Sequence, residues 1–173
     1  MIITIEDLRN RIDNVTGTDE QITTRLKGIE AVIREYTHNN FQMRSVRFTA
    51  RSDGSNLYGV PQFIAVGDTV QISLPSVNAG LYVVTAVADD HIEVDGDLYF
   101  WEEQLVTKIH YPADVVQCAV DLFKWKQTMG DKVGIKSETL SRHSVTYEDS
   151  NTLFLGYPVG ILNGLNLHMK ARC

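Results

Sequence analysis

Gly130, Gly134, Lys136 and Ser137, within GDKVGIKSE, have the residue types that cradle a phosphate and nearly their order. A phosphate-binding loop needs glycine directly before its Lys-Ser pair, because backbone N–H groups must wrap the anion there. Ile135 holds that place and the glycine falls one residue early, so a β-branched side chain crowds the approach. The stretch also follows a helical pattern and runs into an alternating polar one, the reverse of the strand-to-helix context such a loop needs. Nucleotide binding is not expected. His91, Glu93, Asp95, Gly96 and Glu102 partly imitate a calcium loop, but His91 stands where the first carboxylate belongs. Asp95 and Gly96 read more economically as a tight hairpin turn. The five histidines, His38, His91, His110, His143 and His168, show no paired ligand spacing. No nucleophile elbow, metalloprotease motif or dinucleotide fingerprint occurs, so neither an enzyme nor a cofactor is expected. Arg44, Arg47 and Arg51 form the main basic cluster before the C-terminal tail. They suit contact with DNA or an acidic partner, although a solvated strand face is the commoner reason for such a row.

The totals narrow the setting. A chain of 173 residues, 43% hydrophobic and 22% charged, suits an ordinary globular protein with one domain and an insertion, or two small domains. Net charge −6 argues against a surface that grips nucleic acid broadly. The opening MIITIEDLRN has early acidic residues and no long apolar run, so a cytoplasmic origin without a membrane span is expected. Cys118 and Cys173 make no framework and read as free thiols.

The elements that carry these residues change class twice. Thr4 precedes an acidic turn with Ile5, Leu8 and Ile12 behind it, a short capped helix. Thr18 and Gln21 form a capping box, and Ile22, Leu26, Ile29, Ile33 and Tyr36 recur at helical spacing, with Glu30 and Arg34 expected on the outer surface. From Phe41 the period becomes two, with Val46, Phe48 and Ala50 alternating against polar residues. Turn signals at Asp53-Gly54, Gly67-Asp68, Asn78-Ala79-Gly80, Asp89-Asp90 and Asp95-Gly96 predict about five short strands curled into an SH3-like small barrel over residues 42–109. Pro112 opens a third helix that is apolar around most of its girth, and so must be covered on more than one side. SVTYED reads as extended, and Pro158 starts a last short helix. The expected class is α+β: a small bundle of about four helices (1–41 and 110–173) carrying the inserted barrel.

In that order, the helical flanks, EYTHNNF, the YP helix start, GIKSE, SVTY and YPVGILNGL resemble the head-tail connector, or adaptor, proteins of tailed bacteriophages. The matching parts are the flanks; the β insert departs from the family's usual short connection. The resemblance implies a virion structural protein of the neck, made in the host cytoplasm and forming a homo-oligomeric ring of twelve copies. Such a ring sits beneath the portal, joins the capsid to the tail or a head-completion protein, and passes genomic DNA through its lumen without specific binding. GIKSE then becomes a turn into a strand used for subunit contact, with Lys136, Ser137, Glu138, Thr139, Ser144, Val145 and Tyr147 at the interface. Leu167, His168, Met169, Lys170 and Arg172 are expected to form an arm that docks on the portal and orders on binding. The rival reading is a nucleic-acid-binding module using Arg44, Arg47, Arg51, Tyr58 and Phe63. A third is another neck component, such as a head-closure or tail-completion protein.

Overall fold

The computed structural model describes residues 1–59, 62–74, 76–129, 137–140, 143–146 and 153–171. It is an α+β protein whose chain divides into two compact units: residue 1 with 40–111, and residues 2–39 with 112–173.

In the helical unit, α1 (Ile5–Arg11) begins where the Thr4 hydroxyl accepts the Asp7 N–H. Gly17, at φ +113°, breaks the chain before α2 (Asp19–Thr37). The box there is complete: Thr18 Oγ1 accepts from Gln21 N–H while Gln21 Oε1 accepts from Thr18 N–H. These contacts satisfy donors a helix start would otherwise orphan. α2 buries Ile22, Leu26, Ile29, Val32 and Ile33 and packs on α3 (Ala113–Met129), which buries Val115, Cys118, Ala119, Val120, Leu122 and Phe123. The Pro112 carbonyl accepts the first α3 bond, from Val116. Glu30 corrects the expected outer face of α2, being only 4% exposed. After the two-residue strands β7 (Leu153–Phe154) and β8 (Tyr157–Pro158), α4 (Val159–Leu162) runs into a 3-10 turn, Asn163–His168. Leu162 and Leu165 are buried there. The strands β5 (Ser137–Leu140) and β6 (His143–Thr146) pair antiparallel, Ser137 with Thr146.

The other unit departs from the expected five-stranded barrel. It is a four-stranded antiparallel sheet and not a closed barrel: β1 (Gln42–Tyr58), β2 (Thr69–Leu74), β3 (Gly80–Val87) and β4 (His91–Ile109), in the order β1-β4-β2-β3. β4 is long enough to pair with β2 near its end and with β3 near its start. Two expected turns lie inside strands. Gly54, at φ +60°, sits at a register break in β1, and Asp95 and Gly96 lie within β4. Both glycines serve irregular pairing rather than chain reversal. Val46, Ala50, Leu57, Val70, Ile72, Val84, Ile92, Val94, Leu98 and Val106 build the core.

Candidate partner-docking surface

The pairing of β4 with β1 slips twice in close succession. Ala50 pairs with Gln104, Ser52 with Trp101 and Gly54 with Leu98, so Arg51 faces both Glu102 and Glu103, and Asp53 faces both Tyr99 and Phe100. Each step is a bulge, two residues opposite one. A regular strand would turn alternate side chains inward. Here five in a row, Tyr99 through Glu103, are exposed, with Tyr99 at 70%, Phe100 at 57% and Trp101 at 46%. Phe100, Trp101, Glu102 and Glu103 line a shallow depression. Each ring left in water forgoes on the order of 1–2 kcal/mol of burial, which makes this stretch the candidate for an interaction surface.

A buried polar network holds the backbone in this shape. Ser52, Asn78 and Gln104 are all nearly inaccessible. Asn78 grips the Tyr99 peptide from both sides: its Oδ1 accepts the Tyr99 N–H at 2.9 Å and its Nδ2 donates to the Tyr99 carbonyl at 2.8 Å. Nδ2 also lies 3.1 Å from Ser52 Oγ and 3.1 Å from Gln104 Oε1, and Ser52 Oγ donates to the Tyr99 carbonyl at 2.7 Å. Asn78 is fixed in turn by Tyr82, whose hydroxyl donates to the Asn78 carbonyl at 3.0 Å. Glycine makes room for that ring: a Cβ on Gly96 would meet Tyr82 Cε1 at 2.8 Å. Burial, and then the Asp95 carboxylate, push the Tyr82 phenol above its ordinary range. The Asp95 carboxylate is also engaged at 2.7 Å by the Val83 N–H, so the residues that imitated a calcium loop are strand residues with strand partners.

The sites expected from sequence lie elsewhere. Arg44, Arg47 and Arg51 are exposed on β1. Arg47 Nε donates to Thr107 Oγ1 at 3.0 Å, and the Arg51 guanidinium lies 4.8 Å from the Tyr58 ring centre, which in turn stacks with His91 at 5.2 Å. Asp90 holds the His91 ring at 2.7 Å, and that bond keeps its carboxyl below the usual range. Phe63 is 79% exposed and its carbonyl accepts from Lys108. In the other unit, Ser137, Glu138 and Thr139 lie on β5 and Ser144 and Val145 on β6, while Lys136, Tyr147 and Arg172 lie outside the described residues, as does the Gly130–Gly134 part of the phosphate-loop imitation. Among the described residues β5 and β6 pair only with each other.

The terminal segment expected as a loose arm is tied to its own unit. Asn39 Nδ2 donates to the His168 carbonyl at 3.0 Å, the His168 ring lies 2.6 Å from Asp114 Oδ2, and Lys170 N–H donates to the Thr37 carbonyl at 2.8 Å. Leu167, at 93%, and Met169, at 47%, remain exposed beside these anchors. The aromatic patch is hidden in the sequence because a hairpin turn at Asp95-Gly96 would make LYFW an ordinary strand flank; the run YFWEE, with no apolar/polar alternation, is the available signal. No protein-family model matches the chain, and no curated protein matches it.

Proposed function

We propose that this chain is a structural assembly protein of a virion: a head-tail connector that forms a ring of twelve copies beneath the portal and joins the DNA-filled capsid to the tail or a head-completion protein. It works by interface area and ring closure rather than by chemistry. The observation that carries the reading is the β5–β6 ribbon, whose two strands have, among the described residues, no partner but each other. An open strand edge invites a strand from a neighbouring copy. It overlaps the GIKSE and SVTY segments that resemble the connector family. The sheet unit, curled because β4 serves both β2 and β3, takes the part of the SH3-like insert in this reading, and net charge −6 suits a lumen that does not retain DNA.

Mass measurement of the purified chain with and without purified portal protein tests this. A portal-bound ring of about a dozen copies is expected, since head-to-tail contacts give a ring where their rotation closes. A map of the virion with this chain as a single unit remote from the portal vertex would overturn it.

A further inference from the structure

The structure presents two exposed surfaces of opposite chemistry, one on each unit. On β4, three aromatic rings are followed by Glu102 and Glu103, all exposed and backed by the buried Asn78 network. On the helical unit, Leu167, Met169 and Lys170 are exposed on a segment whose backbone is anchored at His168 and Lys170, with Arg172 two residues further in the sequence. We propose that the Tyr99–Glu103 surface of one copy receives the Leu167–Lys170 segment of the next. This rests on the ring reading above and names a contact that would close it.

Three physical arguments favour a second copy as the occupant. The chemistry is complementary: a methionine thioether and a leucine suit aromatic faces, and a lysine beside those faces gains both from the ring quadrupole and from two carboxylates. Both surfaces are already shaped, Tyr99 by its two-sided amide clamp and the segment by the Thr37, Asn39 and Asp114 contacts, so little conformational freedom is lost on docking. The two surfaces are also different from one another, so each copy offers one of each. Contacts of that kind are heterologous, and they close into a ring where the rotation from copy to copy closes.

Charge exchange in the full chain tests the contact. Four proteins are compared by sedimentation equilibrium at low and high salt and high micromolar concentration: wild type, E102K/E103K, K170E/R172E and the quadruple exchange. Circular dichroism checks that each is folded; Glu102, Glu103 and Lys170 are exposed, so folding is expected to survive. Wild type is expected to self-associate, each double variant to lose about ten-fold or more in association constant, and the quadruple variant to recover most of it, since attraction at exposed pairs becomes repulsion and then attraction again. A monomeric wild type, equal association by all four proteins, or no recovery in the quadruple variant would each overturn the proposal. If E102K/E103K abolishes portal binding but leaves self-association intact, the occupant is the portal and the second-copy contact falls. A portal-bound ring undisturbed by E102K/E103K also sinks this contact while leaving the ring reading standing. Charge-exchange association without any portal-bound ring does the reverse.

Discussion

Asn78→Ala removes the clamp on the Tyr99 peptide without touching an exposed residue. The Asn78 amide nitrogen has two hydrogens for the acceptors around it, and its oxygen takes the Tyr99 N–H at 2.9 Å. The Tyr99 carbonyl keeps Ser52 Oγ after the change, but the Tyr99 N–H and the Gln104 Oε1 lose the partners they have in Asn78. Gln104 Nε2 already lacks a bond partner in its buried setting, so the rest of that side chain is left without compensation. Two orphaned groups at roughly 1–3 kcal/mol each put the loss at about 3 kcal/mol, a large fraction of the ~5–15 kcal/mol that a domain has. With an m-value of about 1.5 kcal/mol/M, the urea midpoint of the sheet unit falls by about 2 M. Trp101 and Trp125 are the two tryptophans, so a Trp125→Phe background lets Trp101 report that unit alone. Amide exchange in residues 98–104 should rise sharply while that in α2 and α3 stays constant. Val77→Ala, at a neighbouring position that is half exposed, is the control and should change stability by less than about 0.5 kcal/mol. An Asn78→Ala protein with an unchanged midpoint and unchanged exchange over 98–104 would refute the idea that buried polar bonds shape the aromatic surface.

Gly96→Ala pushes a methyl against the Tyr82 ring, where the Cβ would lie 2.8 Å from Cε1, and should cost the sheet unit about 1–2 kcal/mol in urea unfolding; an unchanged midpoint would mean that the ring yields freely. Burial first, then Asp121 and Asp114, push the Cys118 thiol up to about 12, so in a Cys173→Ser background an alkylating reagent near pH 8 should leave the native protein unlabelled and label it fully in denaturant. The hydrogen bond from the His168 ring holds the Asp114 carboxyl below its usual 3.8, so its contribution is present above that pH and is lost as pH falls below it. Asp114→Asn should therefore weaken protection of the Lys170 N–H at neutral pH, and the difference from wild type should vanish in strong acid; equal protection at neutral pH would show that this pair does not anchor the segment.

Helix signals were legible because each is local. Thr4, Thr18 with Gln21, Gly17 and Pro112 act within a turn of their own position, and the 3.6-residue stripes of α2 and α3 needed only the sequence to be seen. Glu30 escaped because a carboxylate on a helix flank reads as solvated, although only the packing of the finished unit decides its burial. The sheet misled for a related reason. Asp53-Gly54 and Asp95-Gly96 have turn chemistry, but a long strand can absorb a glycine at an irregularity of its pairing, and the pairing that decides between these outcomes is distant in sequence. The aromatic surface depended on the same non-local pairing. Nothing local to Tyr99 announces that Asn78, twenty-one residues earlier, will hold its peptide.

The location of that clamp bears on why the surface is built this way. On a flat strand, period two would send Tyr99, Trp101 and Glu103 to one face and Phe100 and Glu102 to the other, and one set would have to be buried or replaced. Two bulges bring all five into solvent, but each breaks ladder bonds whose polar groups then need partners. Ser52, Asn78 and Gln104 supply them from inside, and none of the three touches solvent appreciably. An apolar interior would pack as well and be simpler. A polar interior beneath a patch that exposes three aromatic rings makes sense where the shape of the patch matters more than the last increment of stability, which is what recognition of a partner surface requires.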